Sequence, residues 1–111
     1  MHVKLEQLQG IIVATPQVER LDVRTVPEFR EEMEHVVAGS SKVVLNMELI
    51  NFVDSTGLGA LMSCIRKLNQ NGGGLRLAGL QHQVTAMFRL VRMHKVFEIF
   101  DNVNDAAAGW Q

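Results

Sequence analysis

The sequence predicts an α/β sandwich, a mixed sheet of about five strands covered by about four helices, with right-handed crossovers between the parallel strands. Three observations lead to it. The chain opens with a strand, turn, strand pattern; the hydrophobic period then alternates between helix-like and strand-like stretches; and glycine or proline stands near most of the changes. A chain of 111 residues is long enough for one core and too short for two, so residues 1–111 are read as a single domain.

Val3 and Leu5 alternate with Lys4 and Glu6, as in a half-exposed strand, and Gly10 allows a turn into the apolar run Ile11-Ile12-Val13-Ala14 that Pro16 closes. From Thr25 the period changes. Thr25 and Glu28 have capping-box spacing, Pro27 sits in the first turn, and Val26, Phe29, Met33, Val36 and Val37 share one face of a helix ending at Gly39. The run 41–47, β-branched at its centre, suits a central strand covered on both faces. Leu58, Leu61, Met62, Ile65 and Leu68 define a second helix that stops at Gly72-Gly73-Gly74. A strand follows over Leu75-Arg76-Leu77-Ala78. A third helix is expected to bury Val84, Met87, Phe88 and Val91 and to turn Arg89 and Arg92 outward. Val96 to Phe100 reads as a short strand and the tail from Asn102 as a helix.

With 47% apolar residues, 21% charged residues and a formal net charge of −1, the composition is that of a globular protein without the clustered cations that nucleic acid or an anionic membrane requires. Neither partner is expected, and no segment approaches the roughly 18–20 apolar residues of a membrane span. The lone Cys64 has no partner for an internal disulfide, and the N-terminus lacks the apolar core of a secretory signal, so a cytoplasmic setting is expected. His2, His35, His82 and His94 share no metal-ligand spacing with one another or with Cys64. No metal and no cofactor are expected.

The informative stretch is Asn51-Phe52-Val53-Asp54-Ser55-Thr56-Gly57-Leu58-Gly59-Ala60, at the start of the second helix. Asp54, Ser55 and Thr56 are each able to cap that helix, although one cap needs only one such residue. Gly57 and Gly59 strip side-chain bulk from the same place and leave the backbone approachable. Enzyme motifs fail here at named positions. No Gly-Lys-Ser/Thr exists for a P-loop, and Val53 stands where a nucleophile elbow needs its first glycine. The triple glycine follows a helix and precedes a strand, the reverse of a phosphate-cradling loop. A catalytic activity of this chain is therefore not expected. Gly59, Ala60, Ser63 and Cys64 form an uncharged face opposite the leucine stripe, which either admits a partner or packs under a neighbouring loop.

Asp54-Ser55-Thr56-Gly57-Leu58-Gly59 resembles the signature of the STAS domain (sulphate transporter and anti-sigma factor antagonist), in particular its stand-alone bacterial anti-sigma factor antagonists. The likeness extends along the chain: Leu21-Asp22 resembles an early turn of that family, Val43-Val44-Leu45-Asn46 its central strand, and Gly72-Gly73-Gly74-Leu75 and Val96-Phe97-Glu98-Ile99 its later landmarks. The resemblance implies the STAS-type sandwich and a protein–protein partner switch that regulates transcription indirectly. In such a switch the unphosphorylated antagonist binds an anti-sigma factor that is also a GHKL-type serine kinase, is released when that kinase phosphorylates it, and is reset by a serine phosphatase.

The acceptor implied is Ser55, with Thr56 as neighbour. Asp22 and Asp54 either flank the acceptor and position it or simply cap a turn and a helix. Asn46 stands where many members have aspartate, and its neutrality removes one charge from the expected surroundings of the phosphosite. Gly57, Leu58, Gly59, Ala60 and Ser63 complete the expected partner-binding surface. Two other roles stand beside this one: an accessory subunit of an ABC-type membrane transport complex or a signalling scaffold, and a small nucleotide-binding or phosphotransfer enzyme using Asp54 or Ser55 as nucleophile.

Overall fold

The computed structural model describes residues 1–110. β1 (Val3–Leu8) and β2 (Ile11–Pro16) form the expected hairpin, with Leu8 opposite Ile11. Gln9 and Gly10 make its two-residue turn, both at positive φ (55° and 80°), the combination whose twist matches the flanking strands. The strands β4 (Lys42–Asn46), β6 (Gly74–Ala78) and β7 (Glu98–Phe100) then add in parallel, giving a five-stranded sheet in the order β1-β2-β4-β6-β7. The expected mixed sheet is borne out.

Alternation along these strands divides the apolar side chains between two layers. Val43 and Leu45 of β4 and Leu75 and Leu77 of β6 face the larger cluster, built against α1 (Val26–Gly39), α2 (Ser55–Gln70) and α3 (His82–Leu90). Val44 and Ala78 face the other way and meet Ala106 and Ala107 of α4 (Val103–Ala107). Asn102 caps α4 by accepting a hydrogen bond from the Asp105 N–H at 2.8 Å. After α2 the chain turns at Gly72, and at Gly73 a Cβ would overlap the Ser41 carbonyl, so the glycine run serves a close backbone passage into β6.

Local details depart from expectation. The Thr25/Glu28 capping box does not form. Thr25 Oγ1 donates instead to the Arg20 carbonyl at 2.7 Å, and Glu28 is taken by the N-terminal ammonium of Met1. α3 ends at Leu90, one residue before Val91, which is 42% exposed, and Met87 is only half-buried. Met93–Lys95 form a 3-10 turn, so β7 begins at Glu98 and not at Val96. Leu5, on the outer strand, is 53% exposed.

Candidate functional site

Two strands too short to carry any period locate the site. β3 (Arg20–Leu21) and β5 (Phe52–Val53) pair in parallel, with Leu21 opposite Val53, as a small sheet of their own. This pairing brings the Asp54 N–H to the Leu21 carbonyl at 3.2 Å. Gly57, one turn into α2, packs on that same carbonyl, where a Cβ would overlap Leu21 O and come within 2.9 Å of Val53 Cγ1. Gly57 is thus required by a close approach of backbone to backbone.

Asp54 is the N-cap of α2, in extended conformation. Its Oδ1 accepts from the Thr56 hydroxyl at 2.6 Å and the Gly57 N–H at 2.9 Å, and its Oδ2 accepts from the Val23 N–H at 3.1 Å. The Thr56 hydroxyl and the Gly57 and Val23 amides together hold the carboxyl below the ordinary aspartate value, against a smaller opposing effect of desolvation. Asp54 is anionic and fully engaged at neutral pH.

Ser55 is the first residue of α2 and is exposed. Among the described residues its hydroxyl has no hydrogen-bond partner, whereas the equally exposed Thr56 hydroxyl is committed to Asp54. Of the hydroxyls at this helix start, the Ser55 oxygen is the one left available. It stands where free N–H groups and the positive end of the helix dipole favour an added anion.

Asp22 organises the neighbouring loop. Its Oδ1 accepts from the Arg24 and Thr25 N–H groups at 3.1 and 3.3 Å, its Oδ2 accepts from Arg20 Nε at 3.2 Å, and its carbonyl receives the Val26 N–H at 2.9 Å, where the first turn of α1 begins. Desolvation works to raise its carboxyl and is outweighed by Arg20 and the two amides, so it too lies below the ordinary value. Asp22 closes the turn that leads into α1, whose N-cap is Thr25, and the bond from Val23 to Asp54 ties this loop to the start of α2.

The other expected positions divide. Leu58 is half-buried against the main core, and Gly59 and Ser63 are partly exposed. Ser63 Oγ donates to the Gly59 carbonyl at 3.1 Å and accepts from Arg30 Nη1 at 3.2 Å, so Arg30 of α1 overlies this face. Ala60 is corrected: at 1% exposure it belongs to the core, with Cys64, because α1 and α2 pack against each other as well as on the sheet, and small residues let the two helices approach. What covers that face is a helix and not a loop. Burial pushes the Cys64 thiol up to about 11, as for a small hydrophobe.

Asn46 is also corrected. On β4 it shares the side of Val44, with α4, and lines a small cavity with Val13 and Val103, while its Oδ1 accepts from the Glu48 N–H at 3.3 Å. Its side chain lies on the sheet face opposite α2, at the end of β4 from which the chain leads to Ser55.

Sequence reasoning missed the apolar flank. Val23 is 66% exposed and Phe52 40%, the latter carrying the Arg20 guanidinium 4.1 Å from its ring centroid. Phe52 stood in the informative stretch; an aromatic directly before a polar helix start, on a segment too short for a buried strand, was the available signal.

A five-stranded sheet has helices on both faces, and one exposed, untethered hydroxyl stands at a helix N-terminus beside exposed apolar side chains, in a small α/β domain of the sandwich class. The STAS domain family model matches residues 2–106, and the chain belongs to that family. It is 30% identical over 80 residues to an anti-sigma-B factor antagonist of Staphylococcus aureus, covering 71% of this chain and 74% of that protein. The fold is similar to an anti-sigma factor antagonist from Mycobacterium paratuberculosis (22% identity, TM-score 0.86, 98% and 92% of the two chains covered). It is also similar to the Bacillus cell fate determinant SpoIIAA in its phosphorylated form (18% identity, TM-score 0.68, 95% and 96% covered).

Proposed function

We propose that this chain is an anti-sigma factor antagonist that works as a partner switch in the cytoplasm, binding an anti-sigma factor with GHKL-type serine kinase activity while Ser55 is unmodified. The observation that carries this is the free, exposed Ser55 hydroxyl at the first position of α2, next to a Thr56 hydroxyl already bound to Asp54. The names of the relatives support the partner, and the phosphorylated Bacillus protein supports the chemistry.

In the transfer the Ser55 oxygen bonds to the γ-phosphorus of ATP as the bond to the β–γ bridging oxygen breaks. ADP leaves, and the hydroxyl proton passes to a base of the kinase. This chain supplies the acceptor and its position; the nucleotide site belongs to the kinase. A phosphatase reverses the modification with water. The product carries about −1.5 to −2 charges where a neutral hydroxyl stood, and α2 accommodates it through its dipole and free N–H groups, so the fold is retained while the contact surface is not. A loss of about 3–4 kcal/mol in a desolvated contact weakens binding roughly 150- to 1,000-fold.

The test is calorimetric titration of the cognate kinase with wild type, Ser55→Asp and Thr56→Ala. Tight binding by wild type and Thr56→Ala, with loss in Ser55→Asp, is expected. Indistinguishable binding by wild type and Ser55→Asp removes the switch, and stable association with a transport ATPase in place of a kinase moves the chain to an accessory role.

A further inference from the structure

The net charge of −1, which argued against an anionic surface, is the sum of an uneven distribution. From Ser55 to Phe97 the sequence holds Arg66, Lys67, Arg76, Arg89, Arg92 and Lys95 and no aspartate or glutamate, and the exposed Glu98 and Asp101 that follow line a cavity with Arg89 and Lys95, Glu98 pairing with Arg76. Arg89, Arg92 and Lys95 close α3 and enter the 3-10 turn after it, and all are exposed. Among them stand Leu90, Val91 and Val96, exposed by 84%, 42% and 44%. A leucine that open to solvent stands proud of the surface and does not line a groove.

Cations at a helix C-terminus often just offset its dipole, and Arg89, in the last turn, fits that account. Arg92 does not. It lies beyond the end of α3 at φ 62° and ψ 21°, a left-handed conformation that glycine adopts freely and a long side chain adopts only with strain. A glycine would end the helix there unstrained; the chain instead holds a cation beside its exposed leucine.

The connectivity places this corner away from Ser55. α3 leads from the end of β6 to the start of the parallel β7, so Leu90 and Arg92 lie at the edge of the sheet where the parallel strands begin. α2 starts at the other edge, and its 16 residues span about 24 Å between the two.

We propose that this corner docks on an anionic lipid surface, with Leu90 and Val91 entering the headgroup region and Arg89, Arg92 and Lys95 meeting lipid phosphates, while Ser55 faces solution. A protruding aliphatic tip ringed by cations suits a flat, fluid, negatively charged surface. A protein hot spot would instead centre on aromatic anchors packed in pockets, and no aromatic side chain is among the exposed apolar residues of this corner. Each cation near such a surface contributes about a fivefold gain, so the three together give about a hundredfold preference over neutral lipid, a reversible attachment. This proposal does not depend on the switch at Ser55.

The test is sedimentation of the purified full chain with vesicles of equal parts phosphatidylglycerol and phosphatidylcholine, against vesicles of phosphatidylcholine alone. Binding only to the anionic vesicles is expected, abolished by about 0.5 M salt. Arg92→Gly, which relieves the left-handed strain, should melt no lower than wild type yet bind about fivefold more weakly, and Leu90→Ser should also weaken binding. Absence of binding to anionic vesicles, or equal binding by wild type and both variants, overturns the proposal. Salt-sensitive capture of a polyglutamate peptide without vesicle binding overturns it in favour of an acidic protein partner.

Discussion

The Val23 N–H donates to Asp54 Oδ2 at 3.1 Å, so one carboxylate ties the loop before α1 to the start of α2. Since Oδ1 of the same group caps α2 through Gly57 and receives the Thr56 hydroxyl, Asp54 fixes the backbone of Ser55 from both sides without touching its oxygen. The acceptor is held in place by its neighbours, and its own hydroxyl stays available.

That arrangement has a pH signature. The folded-state carboxyls of Asp22 and Asp54 both lie below their ordinary value of 3.8, so the stability they add is complete above that value and is lost as pH falls through the folded-state values. Urea midpoints measured from about pH 6 to about pH 2 should fall less steeply on the acid side for the Asp22→Asn/Asp54→Asn double variant than for wild type. Parallel acid limbs would show that neither carboxylate is linked to folding.

Gly57 and Gly59 separate two roles of small residues in one helix. Gly57→Ala forces a Cβ onto the Leu21 carbonyl and should destabilise by about 1–3 kcal/mol, seen as a lower urea midpoint. At Gly59 the nearest atom to an added Cβ is an Arg30 guanidinium nitrogen at 3.9 Å, so Gly59→Ala should be neutral or stabilising by up to about 1 kcal/mol. Equal losses in the two variants would contradict the close approach at Leu21.

Negative charge at Ser55 should spare the fold. An acidic residue at the first position of a helix gains about 0.3–1 kcal/mol from the dipole. Ser55→Asp should therefore melt at or slightly above the wild-type temperature with an unchanged near-ultraviolet circular dichroism spectrum. A large drop in melting temperature would mean that the charge acts by unfolding the domain and not by altering its surface.

Val23 is exposed enough to be changed without disturbing the core, and its backbone N–H keeps Asp54 in place whatever its side chain. Val23→Ser should leave the melting temperature unchanged and weaken kinase binding about tenfold, near 1.4 kcal/mol. Unchanged affinity in a titration would exclude this flank from the contact.

The long elements were legible because their periods are. Val26, Phe29, Met33, Val36 and Val37 all face the core as their spacing requires, and the two-residue turn at Gly10 closes the hairpin. What escaped depended on tertiary pairing. β3 and β5 are two residues each and have no period, yet they set the position of Asp54. The Thr25/Glu28 spacing was satisfied in sequence but lost to a nearer carbonyl and to the N-terminal ammonium. In α2 the leucine stripe pointed to one side of the true inner face, because Ala60 and Cys64 are buried by α1, a neighbour the local sequence does not reveal. Asn46 enters the expected site through the family resemblance alone, and alternation along β4 turns its side chain to the side of Val44, away from α2.

The most direct measurement is to incubate the purified chain with its kinase and ATP, locate the phosphate by tandem mass spectrometry, and compare kinase binding by the modified and unmodified forms. Stoichiometric phosphate on Ser55, none on Thr56, and binding weakened roughly 150-fold or more with the fold intact are expected. Phosphate on another residue, or equal binding by the two forms, would contradict the switch at Ser55.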